Sequence, residues 1–272
     1  MNYDALEPVQ RLKRDLAMAA KDLSLDEVGY IVNGYYALQE YRKVSANQYR
    51  ALEKSKQPND LIGWLVRQGE IIESQIHRAL DQWTETSEIC LWAKSITGIG
   101  PIISAGLAAH IDITKCPTVG HIWRFAGLDP TVTWEANQKR PWNADLKTLC
   151  WKIGESFVKV STNENDVYGK FYVQRKELET ARNDAGEFAD QAKVALARKN
   201  YRKDTVAKQC YLAGKLPPAH IHARAKRWAV KIFLAHWHHV AYMIEYKKAP
   251  PKPYSLEHLG HVHMIEVPNW PQ

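Results

Sequence analysis

The sequence predicts an all-α protein: an N-terminal long-helix, coiled-coil-like region, then a helical domain holding a helix-hairpin-helix. Three observations carry this. Apolar residues recur at helical spacing through most of the chain. Helix-starting and helix-stopping residues sit where each periodic run begins and ends. No stretch alternates convincingly as a strand would. The expected parts are residues 1–95, an N-terminal helical region; 96–246, the hairpin-containing domain; and 247–272, an extended Pro- and His-containing tail.

Ser24-Leu-Asp-Glu27 reads as a capping box opening a helix to about residue 52. The polar segment Lys54–Asn59, with Pro58, breaks it. The next helix starts near Asp60. Its Leu61, Leu65, Ile72, Ile76, Leu80 and Trp83 recur three, four and seven apart and form a one-sided seam. Such a seam suits a helical hairpin within the chain or pairing with a second copy, so a homodimer through the N-terminal helices is one expectation. A shorter helix then leads into Ser95-Ile-Thr-Gly98-Ile-Gly100-Pro101.

Pro101 is placed as the first residue of a helix to about Ile111, where its missing N–H costs nothing. Thr118–Ala126 is the next helix, closed by Gly127 as a C-terminal cap. Residues 128–142 form a polar loop. Asn143 caps a helix to about Val160, and residues 162–167 break it. Helices over about 168–183 and 187–213 follow, then Leu216-Pro-Pro218 and a final helix over about 220–246.

The turn at Thr97, Gly98, Ile99 and Gly100 reads as an anion site. Its main-chain amides and the positive end of the next helix face one point. Phosphate held in this way conveys no base identity. Valine at both Gly98 and Gly100 is expected to remove binding without unfolding the chain.

Charge supports a polyanionic partner. The formal net charge is +7. Residues 1–95 hold 12 Lys and Arg against 14 Asp and Glu, and residues 96–272 hold 25 against 16. Within 191–231 there are 11 cations and one acid, Asp204. Lys193, Arg198, Lys199, Arg202, Lys203, Arg224 and Arg227 from this tract are assigned to nucleic acid, with Lys139, Arg140 and Lys147 before it. Arg198/Arg202 and Lys199/Lys203 stack at i,i+4, where like charges repel by roughly 0.2–0.5 kcal/mol per pair. A polyanion relieves that repulsion.

The four cysteines are scattered and read as reduced thiols. The start of the chain has no apolar signal core, and no apolar run reaches membrane length. A cytoplasmic location and no membrane partner are expected. His236 and His239 share a helix face, and His261 and His263 would share a strand face. These four are the positions a metal would use. No carboxylate or thiol accompanies them at a metal-binding spacing, so structural histidines are the preferred reading and no cofactor is assigned. No clustered carboxylates suggest two-metal chemistry, and Ser104 falls inside a helix.

From Ile96 to about Gly260 the chain resembles the C-terminal half of the insertion-sequence-110 family of DEDD transposases. The matching pieces are Ile96-Thr-Gly-Ile-Gly-Pro101 and Arg124-Phe-Ala-Gly-Leu-Asp-Pro130. Lys139-Arg140 then leads into Leu146-Lys147, and Lys226–Lys231 precede Pro253-Tyr254. The resemblance implies a DNA-binding scaffold. It also marks two departures. Helical sequence stands where that family has an RNase-H-like half with four acidic residues. Glu135-Ala136 occupies the position of the family's nucleophilic serine and its glycine. No catalytic residue is assigned; Thr133 and Glu135 are the nearest candidates.

The expected function is therefore nucleic-acid binding, with DNA favoured over RNA, by a transposase-derived protein that does not catalyse strand exchange on its own. The alternatives are an active recombinase or metal-dependent nuclease, and a protein-interaction module using the amphipathic helices of residues 25–95.

Overall fold

Ser24 starts the first long helix as its sequence requires. In the computed structural model, which describes residues 18–57, 60–198, 205–251 and 265–271, the Ser24 hydroxyl accepts from Glu27 N–H. The Glu27 carboxylate in turn accepts from Ser24 N–H. The helix it opens, α1, spans Leu25–Lys54, and α2 spans Asp60–Thr84. The two run antiparallel. Trp83 at the end of α2 donates its indole N–H to Leu23 O, and Arg42 midway along α1 binds Glu73. The C-terminal part of the seam packs inside the chain, where Leu80 and Trp83 are buried with Ile76 beside them, while Leu61 is exposed.

Two shorter helices follow, α3 (Glu88–Lys94) and α4 (Pro101–His110). Ile102 and Ala105 of α4 join Val28, Val32, Leu80 and Cys90 in one core. The Ser104 hydroxyl donates to Cys90 O and is fully buried. This serine is a packing residue.

The chain divides into two units. The first holds residues 1–95 together with 100–112, and the second holds 96–99 and 113–272. Helix α4 therefore groups with the N-terminal hairpin rather than with the domain expected to start at residue 96. The reason is apolar burial: Ile102 and Ala105 have little exposed surface, and the α1–α2 core covers them.

In the second unit, α5 is Val119–Phe125, α6 Ala144–Val160, α7 Tyr168–Asp184, α8 Ala189–Arg198, α9 Val206–Leu212 and α10 Pro218–Tyr246. Asn143 caps α6 by accepting from Leu146 N–H. Pro218 opens α10 at its first position. Helix α10 is the central element, packing on α5, α6 and α7. Phe157 of α6 and Tyr168 of α7 stack, and Phe233 of α10 meets both rings edge-on. The single helix expected over 187–213 is two. Thr205 is extended at ψ 133° and starts α9 separately.

Among the described residues there is no strand. Among them, too, no helix is long and apolar enough to cross a membrane.

Candidate nucleic-acid interface

Ile96 and Ile99 anchor the turn after α3 by burying their side chains. Ile99 N–H donates to Ile96 O at 2.9 Å. Ile99 thus has its amide engaged within the turn and its side chain buried. Thr97 Oγ1 donates to Asn165 O at 3.1 Å, and Ser156 Oγ donates to Gly98 O at 2.5 Å. Gly98 has φ +93°, and a Cβ there would lie 3.1 Å from Ser156 Oγ and Val160. Gly100 differs. It is the extended N-cap of α4, with open space where a Cβ would point. Its carbonyl accepts from Ser104 N–H, so the N–H groups of Gly100, Ile102 and Ile103 precede the first ladder bond.

The expectation that valine is tolerated at both glycines therefore fails at Gly98. A left-handed residue with a Cβ costs about 1–2 kcal/mol, before the contacts with Ser156 and Val160 are counted. Thermal unfolding checks this directly: Gly98→Ala lowers the midpoint by several degrees, and Gly100→Ala leaves it unchanged.

Helix α5 ends in a tight left-handed cap. Leu128 N–H donates to Trp123 O, and Gly127 N–H to Arg124 O, the pairing a glycine at φ +65° permits. A Cβ on Gly127 would stand 2.9 Å from the Trp142 ring and 3.0 Å from Lys147 Cδ. Glycine thus lets both side chains close over the backbone. Asn143 N–H donates to Phe125 O at 2.9 Å and pins the two ends of the 126–142 loop together. Lys147 Nζ sits 3.8 Å from the Trp142 ring centre. Within the loop, Trp134 donates its indole N–H to Gln138 O at 2.8 Å. The Arg140 guanidinium lies 5.5 Å from the Trp134 ring centre, and Trp142 meets that ring edge-on.

Three cations crowd here. Burial, then Arg140 and Arg227, hold the Lys147 ammonium below its usual pKa. Burial and then Arg224 do the same to Arg227. Among the described residues Arg140, Lys147 and Arg227 form no ion pair. Nearby, Lys231 Nζ lies 4.2 Å from the Trp123 ring centre, and Trp123 donates its indole N–H to Lys231 O. Lys231 is also held below its usual pKa by burial, with Asp129 opposing.

The neighbouring cations are engaged otherwise. Arg224 Nε binds Glu179 at 2.9 Å. That buried carboxylate also holds Arg175 and Arg182. Lys226 pairs with Glu155. Lys139, Lys193 and Arg198 are exposed. Lys199, Arg202 and Lys203 lie outside the described residues.

Thr133 and Glu135 are exposed in the loop, and Glu135 accepts from the Gln138 side chain. Nothing described beside them activates a nucleophile.

His236 is buried with both ring nitrogens used. Nε2 donates to Ile265 O at 3.1 Å, so Nδ1 accepts from the Tyr168 hydroxyl at 2.7 Å. Neither nitrogen is left for a metal. The partly exposed His239 offers no second ligand in company, and no metal-binding group of three occurs among the described residues. His261 and His263 lie outside the described residues.

The tryptophans escaped the sequence reading. Trp134, Trp142 and Trp151 alternate with Lys139, Arg140, Lys147 and Lys152, and that alternation is the signal that would have found them.

No match was found among curated proteins or solved structures. Residues 92–143, which carry the turn, the Gly127 cap and the loop with Trp134, Arg140 and Trp142, match the family model described as Transposase IS116/IS110/IS902 family.

Proposed function

We propose that this protein binds nucleic acid, DNA in preference to RNA, without reading base sequence. It is a transposase-derived binder that does not exchange strands alone. One observation carries the reading: Arg140 and Lys147 sit on the edge-paired rings of Trp134 and Trp142, the Arg227 charge reaches Lys147, and none of the three forms an ion pair among the described residues. Cations held close against their own repulsion are stabilised by a ligand that brings several negative charges at once. A phosphate backbone does so. The family match over residues 92–143 points the same way. Lys139, Lys193 and Arg198, exposed in the same unit, extend the charge.

Affinity then follows counterion release. With about four phosphates neutralised, it falls about a hundredfold between 50 and 200 mM salt. Anisotropy titration of a labelled random-sequence oligonucleotide measures this. A salt-independent affinity, or no binding at 50 mM, contradicts the proposal.

A further inference from the structure

Among the described tryptophans, two stand well out into solvent: Trp134 at 42% exposure and Trp151 at 55%. Both have cations beside them. Arg140 lies over the Trp134 ring. Trp151 follows Lys147 by one turn on the same face of α6. The ammonium groups of Lys152 and Lys226 lie 5.5 and 5.7 Å from the Trp151 ring centre. Lys226 adjoins Arg227 in α10, and the Arg227 charge reaches Lys147. Indoles and cations thus share one continuous surface of the second unit.

An exposed indole presents a large apolar face. Covering it with an apolar protein surface would also desolvate the surrounding charges without pairing them. A nucleotide suits the site better, since its base covers the ring while its phosphate meets the cation. Bases inside a duplex have both faces already stacked, so only unpaired bases can use these rings. Trp134 is also held in place, since its indole N–H is fixed on Gln138 O.

We infer that this surface takes unpaired nucleotides in preference to duplex, with bases stacked on Trp134 and Trp151 and phosphates on Arg140, Lys147 and Arg227. The inference rests on the nucleic-acid reading above and specifies its ligand.

The test is anisotropy titration of the full chain with a labelled oligothymidine of about 16 nucleotides and with a duplex of equal length. Wild type, Trp151→Ala and Trp151→Phe are compared. Trp151 is a surface residue, and far-ultraviolet circular dichroism verifies that each variant is folded. The expected result is oligothymidine bound at least about tenfold tighter than duplex. Trp151→Ala then weakens oligothymidine binding by about fivefold to a hundredfold, leaves duplex binding unchanged, and Trp151→Phe restores most of the loss. Equal or tighter duplex binding, or a Trp151→Ala variant without effect on oligothymidine, overturns the inference while the general nucleic-acid reading stands. Binding of neither probe at low salt overturns both.

Discussion

Replacing Arg140, Lys147 and Arg227 together by glutamine lowers nucleic-acid affinity by about a hundredfold or more at moderate salt. Each unpaired cation beside a phosphate contributes about 1 kcal/mol or more, and about 1.4 kcal/mol is a tenfold change. Glutamine retains much of each aliphatic stem, so the contact between Lys147 and Trp142 is partly kept. The substitution also removes mutual repulsion among the three groups. The triple variant should therefore unfold at the wild-type temperature or slightly above it. A control variant at Lys193 and Arg198, which are exposed on α8, loses much less. Equilibrium titration together with thermal unfolding separates lost binding from lost fold.

Acid destabilises the second unit well before its carboxylates titrate. Burial pushes the His236 pKa down to about 4, from 6.5 in the unfolded chain. The fold holds this ring neutral, between Tyr168 and Ile265. Its contribution is therefore complete above about pH 6.5 and disappears as pH falls toward 4, because the unfolded chain takes up the proton first. Between pH 7 and pH 5 this single group removes about 2 kcal/mol. His238, which is buried and bonded to Cys116 O, shifts in the same direction, as do His239, His220 and His222. Urea unfolding at a series of pH values measures the slope. His236→Gln, which has no titrating ring, flattens it by about one proton. A stability unchanged from pH 7 to pH 5 contradicts the buried neutral ring.

The features legible in the sequence are those set by local main-chain chemistry. The Ser24–Glu27 box, Pro101 at a helix start, Asn143 as a cap and Gly127 as a stop all occur where neighbouring residues require them. What escaped depends on partners far along the chain. Gly98 reads as a free turn residue until Ser156, 58 positions later, takes its carbonyl. Helix α4 reads as part of the second domain until its apolar residues meet Val28 and Leu80. Arg224 and Arg227 are equivalent in sequence, a single turn apart on one helix. Glu179 of α7 claims the first and leaves the second beside Lys147. The cationic surface was thus readable as composition, whereas the cations left free on it emerge from tertiary packing.

The most direct test is the slope of log affinity against log salt concentration, taken on the wild type and the glutamine triple variant with one oligonucleotide. If these three side chains neutralise phosphates, the wild-type slope is steep and the variant's is shallower by about three contacts' worth of counterions. Two parallel lines would show that the cluster at Arg140, Lys147 and Arg227 does not hold the backbone.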